Sequence, residues 1–332
     1  MKTSQAIRTS NQPTYISQFV EVPIENIGSG DVLIKNHYSS LNFKDALAIT
    51  GKGKILKKYP LIPGIDACGE VLEPGTSPFK KSQLVLVTGC GLGETQDGGF
   101  SEYIRVPKNW VIPLPEGLTP KEAMTLGTAG FTAALCLWRM QQVDQTPDKG
   151  PIVITGASGG VGSLAIQIFH QNGFEVIAVS NKTDQHDQLK KWGATTVVTP
   201  GDLKLGTRPL ESARFGGVID NVGGELLSHL IAHTHLWGNV ACVGLAGSPE
   251  LHTTVMPMIL RGVSLLGVSS ANCPKDARQA IWTKLAHEWK PQWLEDSVRK
   301  IVNLQGVLSE SEAMIAQKTY GRTLVKLMNS PT

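Results

Sequence analysis

The chain has 332 residues, of which 41% are hydrophobic and 18% are charged. At about 150 residues per domain, this length suggests two domains. Domains of this size bury enough surface to need no disulfide or metal for stability. The formal net charge of +3, from 31 Lys and Arg against 28 Asp and Glu, gives no support for nucleic acid as the main partner. Because five widely spaced cysteines form no Cys-x-x-Cys pair, and no secretory signal or membrane-length apolar segment is visible, we expect a cytoplasmic protein.

The first 120 residues are predicted to form short β-strands broken by glycine and proline. Prolines recur between residues 60 and 120, and proline is excluded from helix interiors. The strand-like segments in this region are residues 31–36, 69–72, 84–88 and 103–106. This pattern indicates an irregular β-barrel. A helix is expected to begin near Thr119 and Pro120, with a further helical stretch around residues 130–140.

The pattern changes at residue 151, where continuous apolar runs alternate with helical stretches. The runs are residues 152–155, 174–180, 195–199, 217–221, 239–245 and 263–268. The helical stretches are residues 161–171, 184–192, 225–235 and 275–289. Apolar runs alternating with helices predict a parallel sheet built from βαβ units. Because the tail ends in a strand-like segment, 322–328, we expect domains of residues 1–120 with 294–332, and 121–293.

The strongest motif is a glycine-rich segment, TGASGGVGS, at residues 155–163. It follows an apolar run and opens a helical stretch, which is the context of a dinucleotide-binding turn. Glycines allow the backbone N–H groups to approach a pyrophosphate at the positive end of the helix. Their spacing is G-x-x-G-x-x-G rather than the stricter G-x-G-x-x-G, so a turn without a ligand is the alternative.

The second run of this region ends in Ser180, Asn181 and Lys182. NAD sites place an acidic residue at this point to hold the ribose 2′-hydroxyl. A hydroxyl, an amide and a cation instead favour a 2′-phosphate, and the sequence therefore predicts NADPH. The alternatives are an ordinary solvated lysine at 182 and a carboxylate from Asp184 that serves NAD.

No metal site is predicted. Zinc-dependent alcohol dehydrogenases need cysteine, histidine and acidic ligands together with a separate four-cysteine lobe. The segment PGIDACG at residues 63–69 contains no histidine. His37 stands alone on a predicted strand, where a packed or exposed role is expected.

Taken together, the motifs resemble the zinc-independent medium-chain dehydrogenase/reductases, and within them the quinone oxidoreductase group that includes acrylyl-CoA reductases. The matching segments span nearly the whole chain: SSLNFKD (39–45), PGID (63–66), the glycine pair 98–99, GTAGFTA (127–133), the 155–163 turn, GLAG (244–247), TTVMPMILRG (253–262) and GRTLV (321–325). The resemblance implies an α/β fold, with a GroES-like β-barrel catalytic domain and a Rossmann doubly wound parallel-sheet domain. It also implies NADPH, a homodimer and reduction of an activated C=C bond, with acrylyl-CoA as the substrate.

The resemblance also implies roles for particular residues. The pyrophosphate would be cradled by Ser158, Gly159, Gly160 and Val161, and the 2′-phosphate would meet Ser180, Asn181 and Lys182. The SSLNFKD segment would lie beside the nicotinamide, with Asn42 and Phe43 touching cofactor or substrate. Further cofactor neighbours would be Thr128, Leu245, Ile259 and Ser270. Relatives often have tyrosine in place of Phe43, so a hydroxyl contact is absent at that position.

Hydride addition to an unsaturated thioester leaves charge on the carbonyl oxygen and requires a proton at the α-carbon. Asn42 could donate to that oxygen, and Lys44 and Asp45 are the nearest ionisable candidates, with purely structural roles as the alternative. Tyr59 or water could also deliver the proton.

Four lysines, at positions 52, 54, 57 and 58, could bind the phosphates of a CoA ester, although such a run is usually a solvated face. Two other functions stay open: an NADPH:quinone oxidoreductase of the same fold, and a non-enzymatic NADPH-binding protein.

Overall fold

The computed structural model describes residues 2–328, and the chain divides into two compact units. The first unit comprises Met1–Thr128, Ala271–Ala286 and Leu294–Thr332; the second comprises Ala129–Ser270 and His287–Trp293. The units differ from the expected domains chiefly in that residues 121–128 and 271–286 group with the first unit.

The chain contains strands and helices throughout its described length. The strands within residues 2–328 are β1 (Thr3–Ser10), β2 (Ile16–Pro23), β3 (Val32–Leu41), β4 (Asp66–Glu73), β5 (Leu84–Thr88), β6 (Tyr103–Val106), β7 (Ile112–Pro113), β8 (Ile152–Thr155), β9 (Val176–Val179), β10 (Thr196–Val198), β11 (Phe215–Asp220), β12 (Thr234–Cys242), β13 (Ser264–Gly267), β14 (Val298–Val302) and β15 (Arg322–Lys326). The α-helices in the same range are α1 (Phe43–Thr50), α2 (Pro120–Gln141), α3 (Gly160–Gln171), α4 (His186–Lys191), α5 (Gly224–Ala232), α6 (Met256–Arg261), α7 (Lys275–Ala286) and α8 (Leu304–Ile315).

The first unit contains a seven-stranded sheet in the order β14-β15-β3-β4-β5-β7, with β6 also paired to β3, and a separate β1-β2 hairpin. The strands from β3 to β7 pair antiparallel. One apolar cluster includes Ile7, Phe100 and Val307, and a second includes Ile34 and Val87. These cores hold the ends of β3 and β4, which carry the polar residues described below.

The second unit contains six parallel strands in the order β10-β9-β8-β11-β12-β13. The four residues of β8 are fully buried, as expected for a strand covered on both faces. The strand order reverses between β8 and β11, and in such sheets ligands bind beyond the carboxyl ends of the strands at that point. The predicted doubly wound parallel sheet is confirmed.

Some local predictions differ from the structure. The hairpin β1-β2, the strand β14 and the helices α1, α6 and α8 were not predicted. The helix expected over residues 225–235 ends at Ala232, and β12 begins at Thr234. The guanidinium of Arg261 donates to the carbonyls of Ala232 and Thr234, which stabilises the chain reversal there.

Among the described residues, no helix has both the length and the apolar character required to cross a bilayer.

Candidate functional site

The glycine turn (residues 155–163) joins β8 to α3 in the second unit. Gly156 has a φ of +59°, and a Cβ at Gly162 would lie 2.5 Å from the Gly156 carbonyl oxygen. Helix α3 has Gly159 as its N-cap, and no side chain caps it. The first N–H groups of this twelve-residue helix are therefore left for an anion. A pyrophosphate fits this turn, which contains the predicted residues Ser158, Gly159, Gly160 and Val161.

The tip of β9 is linked to the glycine turn by two hydroxyl groups. The Oγ atoms of Ser180 and Ser158 lie 3.1 Å apart, and the backbone N–H of Lys182 donates to Ser180 Oγ over 3.1 Å. Ser180 is buried, Lys182 is half-buried and Asn181 is exposed. The structure thus brings the residues predicted for a 2′-phosphate next to those predicted for the pyrophosphate. Asp184 is exposed and accepts a hydrogen bond from its neighbour Gln185.

The other predicted cofactor neighbours of the second unit lie at its surface. Leu245, in the loop after β12, is 64% exposed, and Ile259 on α6 is 73% exposed. Ser270 is half-buried. Large apolar side chains with this exposure are available to a ligand or a partner.

In the first unit, Asp66 is the centre of a buried polar network. Its Oδ2 accepts hydrogen bonds from Ser40 Oγ at 2.6 Å, Asn42 Nδ2 at 2.8 Å and the Thr128 N–H at 2.9 Å. Its Oδ1 accepts from Thr128 Oγ1 at 2.5 Å. Because four donors converge on one fully buried carboxylate, the network fixes residues from β3, β4 and α2 relative to one another.

The side-chain amide of Asn42 is engaged on both sides. Its Nδ2 donates to Asp66 and, over 3.1 Å, to Asp45 Oδ2, while its Oδ1 accepts from Arg322 Nη1 over 3.2 Å. Both N–H groups are therefore committed to carboxylates in this structure. Donation to a substrate oxygen, as expected from the sequence, would require one of these bonds to be replaced.

Asp45 lies in the first turn of α1 and is 1% exposed. Its Oδ2 accepts from the backbone N–H of Asn42 over 2.9 Å, and its Oδ1 accepts from that of Ile65 over 2.9 Å. Burial, followed by the charge of Asp66, raises the pKa of Asp45 to about 7. The carboxyl group thus caps α1 and anchors the loop before β4. These contacts favour a purely structural role for Asp45 over proton transfer.

Arg322 is the cation of this network and is 2% exposed. Its Nε donates to the Thr125 carbonyl over 2.8 Å, and its Nη2 has no hydrogen-bond partner among residues 2–328. Burial lowers the pKa of Arg322, and the charges of Asp66 and Asp45 oppose that shift. A guanidinium between two buried carboxylates compensates part of their charge.

The helix α2 is interrupted at Gly127, which has φ +49° and ψ −155°. A Cβ there would lie 2.6 Å from Ser40 Oγ, 2.7 Å from Asp66 Oδ2 and 2.9 Å from Arg322 Nη2. Only glycine fits this position, and the break presents the N–H of Thr128 to Asp66. Thr128 itself is half-buried.

The two remaining predicted residues of α1 are accessible. Phe43 is 43% exposed, and Lys44 Nζ lies 2.9 Å from Glu94 Oε1, with 37% of the lysine side chain exposed. Tyr59 packs edge-on against Tyr15, with ring centroids 5.8 Å apart.

The sequence analysis did not select Ser40, Asp66, Gly127 or Arg322 as site residues. Each lies in a segment that carried the resemblance, namely SSLNFKD, PGID, GTAGFTA and GRTLV. The available signal was thus a polar or glycine residue within a motif, but nothing in the linear pattern showed that the four meet.

No group of three or more His, Cys, Asp and Glu side chains within residues 2–328 is placed to hold a metal ion. His37 is fully buried, and its ring nitrogens have no hydrogen-bond partner in that range. Its Nε2 lies 3.6 Å from Glu70 Oε1, and burial lowers its pKa. The absence of a metal stays a prediction.

Comparison with known proteins identifies matches to both parts of the chain. Residues 28–116 match the alcohol dehydrogenase GroES-like domain, and residues 160–286 match the zinc-binding dehydrogenase family. The probable acrylyl-CoA reductase AcuI of Escherichia coli is 45% identical over 298 residues, which are 90% of this chain and 91% of that protein.

Two further relatives match over almost their full lengths. The putative quinone oxidoreductase YhfP of Bacillus subtilis is 40% identical over 97% of this chain and 98% of its own. Its crystal structure with NAD bound covers 98% of this chain and 100% of that one, with 38% identity and a TM-score of 0.94. The yhdH oxidoreductase of Salmonella enterica, solved in complex with NADP, has the same coverage and TM-score with 40% identity.

Proposed function

Because this chain belongs to the medium-chain dehydrogenase/reductase family, in the quinone oxidoreductase group with the acrylyl-CoA reductases, we propose that it reduces the C=C bond of acrylyl-CoA to give propionyl-CoA, with NADPH as the cofactor. The observation that carries the cofactor assignment is the tip of β9, where Ser180 and Lys182 stand next to the glycine turn without a carboxylate among residues 180–182. The substrate assignment is supported by the name of the Escherichia coli relative.

We assign NADPH to the Rossmann domain and catalysis to the GroES-like domain. When bound, NADPH supplies a hydride to the β-carbon of the unsaturated thioester. The chain's own residues must then orient the thioester and bring a proton to the α-carbon. Thr128, Leu245, Ile259 and Ser270 would be cofactor neighbours.

Asn42, Lys44 and Asp45 form the proposed catalytic set, and their contacts divide the roles. Asn42 and Asp45 are positioning residues, since their polar atoms hold the start of α1. Of the three, Lys44 is the one that presents an ionisable group to solvent, so we assign it delivery of the proton. The Tyr59 hydroxyl is the second candidate.

An acyl-CoA substrate is supported by the lysine loop (Lys52, Lys54, Lys57 and Lys58), in which all four side chains are exposed. The backbone N–H of Lys57 donates to the carbonyl of Glu94, the residue whose carboxylate pairs with Lys44. The lysine loop is thus tied to the segment that also contacts α1.

The competing function is reduction of quinones, favoured by the name of the Bacillus subtilis relative. We would measure NADPH oxidation by the purified protein with acrylyl-CoA and with a simple benzoquinone under identical conditions. A kcat/KM for acrylyl-CoA that is larger by orders of magnitude is the expected result. A larger value for the quinone would replace the proposal by a quinone reductase, and stoichiometric NADPH binding with no turnover of either would favour a non-enzymatic role.

We also propose that the protein is a homodimer of the cytoplasm. Apolar side chains are exposed on β12, at the start and on the surface of α6, and on the edge strand β13; they are Leu236, Trp237, Val255, Leu260 and Leu265. An edge strand beside such a patch can pair with a second copy. All five cysteines are unpaired, as in a reducing compartment, and cell fractionation would test the localisation.

A further inference from the structure

Three residues in the second unit cross-link the strands on both sides of the point where the strand order reverses. Thr155 ends β8, Asp220 ends β11 and Asn221 follows it. Thr155 Oγ1 donates to Asp220 Oδ1 over 2.7 Å and accepts from the Asn221 N–H over 2.9 Å. Asn221 Nδ2 donates back to the Thr155 carbonyl over 2.7 Å. We call these three residues the switch-point trio.

The switch-point trio is connected to the glycine turn by chain continuity and by packing. Gly156, with a positive φ, directly follows Thr155, and a Cβ on Gly156 would lie 3.3 Å from Asn221 Cβ. The direction in which the chain leaves β8 is therefore set by the hydrogen bonds that Thr155 makes. Thr155 and Asp220 are fully buried, so water does not substitute for these bonds.

The same trio also holds the loop at residues 243–248, which follows β12. The carbonyl of Asp220 accepts from the N–H groups of Val243 and Gly244, at 2.9 and 3.1 Å. A Cβ on Gly244 would lie 2.5 Å from the Asn221 carbonyl oxygen, so this loop approaches the trio closely. Leu245, an expected cofactor neighbour, lies in the loop.

The Asp220 carboxylate completes the connection with its second oxygen. Its Oδ2 accepts from the backbone N–H of Gly223 over 2.6 Å, at the N-cap of α5. Burial raises the pKa of Asp220, while the bonds from Thr155 and Gly223 oppose that shift. Both oxygens of this carboxylate thus have a structural partner, and the residue is fully buried, as expected of a positioning group.

We propose that Thr155, Asp220 and Asn221 are positioning residues that set the glycine turn and the 243–248 loop together. One hydrogen-bonded trio would thereby align the turn that meets the pyrophosphate with the loop that meets the nicotinamide half of NADPH. The inference rests on the proposed function for the identity of the cofactor. The coupling of the two segments does not depend on it.

The test compares Thr155→Val and Asn221→Ala with Thr155→Ser, which keeps the hydroxyl, and with Thr196→Val, an exposed threonine on β10. Dissociation constants are measured by calorimetry for NADPH and for 2′-phospho-ADP-ribose, which lacks the nicotinamide. We expect the first two variants to weaken NADPH about tenfold or more, and to weaken the fragment less. Thr155→Ser and Thr196→Val should stay within about twofold of the parent.

Hydrogen exchange without ligand provides the second readout. In Asn221→Ala, we expect faster exchange than in the parent protein in two segments, residues 156–162 and residues 243–248. A change confined to one segment would overturn the coupling. Unchanged dissociation constants with a lower Tm, or equal losses for NADPH and the fragment, would also overturn it. If Thr155→Val does not fold, Asn221→Ala decides the question. Failure of the parent protein to bind NADPH would overturn the proposed function. The exchange experiment is done without ligand, so it tests the coupling of the two segments independently of that result.

Discussion

Arg322 donates from Nη1 to Oδ1 of Asn42, although the two residues are 280 positions apart in the chain. This bond connects the start of β15 to the residue before α1, inside a network that also contains Asp45 and Asp66. The charges of both carboxylates raise the pKa of the Arg322 guanidinium against the effect of burial. The segment expected beside the nicotinamide is therefore held in place by a cation from the far end of the chain.

Replacement of that cation should be strongly destabilising. Arg322→Met leaves the buried Asp66 without a countercharge, and Asp45 as well where that group is ionised, so we expect a loss of about 3–5 kcal/mol in the free energy of unfolding. Urea denaturation measures it. The control is Arg105→Met, which breaks a pair with the exposed Glu73 and should cost about 0–1 kcal/mol. Similar losses for the two variants would contradict the prediction.

Asp45 should make the stability depend on pH. Its folded-state pKa, raised to about 7, means that the folded protein keeps a proton that the unfolded chain has released between about pH 4 and 7. The stabilisation that this group contributes is therefore complete below about pH 4, and it is lost as the pH rises through about 7. Urea denaturation of Asp45→Asn should show a smaller decline across that window than the parent protein.

Asp31→Asn is the matched control for this experiment. A hydrogen bond from Thr76 lowers the pKa of the half-buried Asp31, so its contribution to stability changes below about pH 4 and has the opposite sign. The decline between pH 4 and 7 should be unaffected by this variant. An unaltered decline in Asp45→Asn would show that another group titrates there.

Lys182 should discriminate between the two nicotinamide cofactors. Lys182→Ala removes a cation next to Ser180, and we expect the dissociation constant of NADPH to rise about tenfold or more while that of NADH changes less than about twofold. Fluorescence titration measures both. Lys190→Ala, at an exposed position on α4, should change neither dissociation constant. An equal loss of affinity for both cofactors in Lys182→Ala would contradict the 2′-phosphate assignment.

The lysine loop should matter for CoA esters alone. Substitution of Lys54, Lys57 and Lys58 by alanine should raise KM for acrylyl-CoA severalfold and leave KM for a small enone unchanged, because only the CoA ester carries phosphates. Steady-state kinetics with both substrates tests this. The double variant Lys80→Ala and Lys81→Ala, at exposed positions elsewhere, is the control. A parallel rise for ester and enone would mean that the loop does not bind CoA.

The exposed apolar patch should govern assembly. Leu260 on α6 is 58% exposed, and Leu260→Glu places a charge in the proposed dimer face, where its desolvation is costly. Light scattering should report a dimer for the parent protein and a shift toward monomer for this variant. Ile301→Glu, at another exposed apolar position, should remain dimeric. A monomeric parent protein would refute the proposed homodimer.

The elements with strong local signals were predictable. The strand β8 and the glycine turn were identified because a short apolar run followed by glycines is set by neighbours in sequence. The residues at the tip of β9 were likewise found by their distance from that turn, and the structure brings Ser180 to Ser158. By contrast, β1 and β2 form a separate hairpin whose residues carry little local signal.

By itself, the sequence determined the family, through motifs that span nearly the whole chain. It also determined the parallel sheet and the residues around the glycine turn, because these depend on local periodicity and on spacing within one motif. The tertiary structure alone decided that Asn42 and Asp45 are committed to buried contacts and that Asp66, Gly127 and Arg322 meet them. Those contacts join β3, β4, α2 and β15, which are far apart in sequence. A buried charge needs a partner wherever the chain can supply one, and linear spacing does not encode which partner folding will bring.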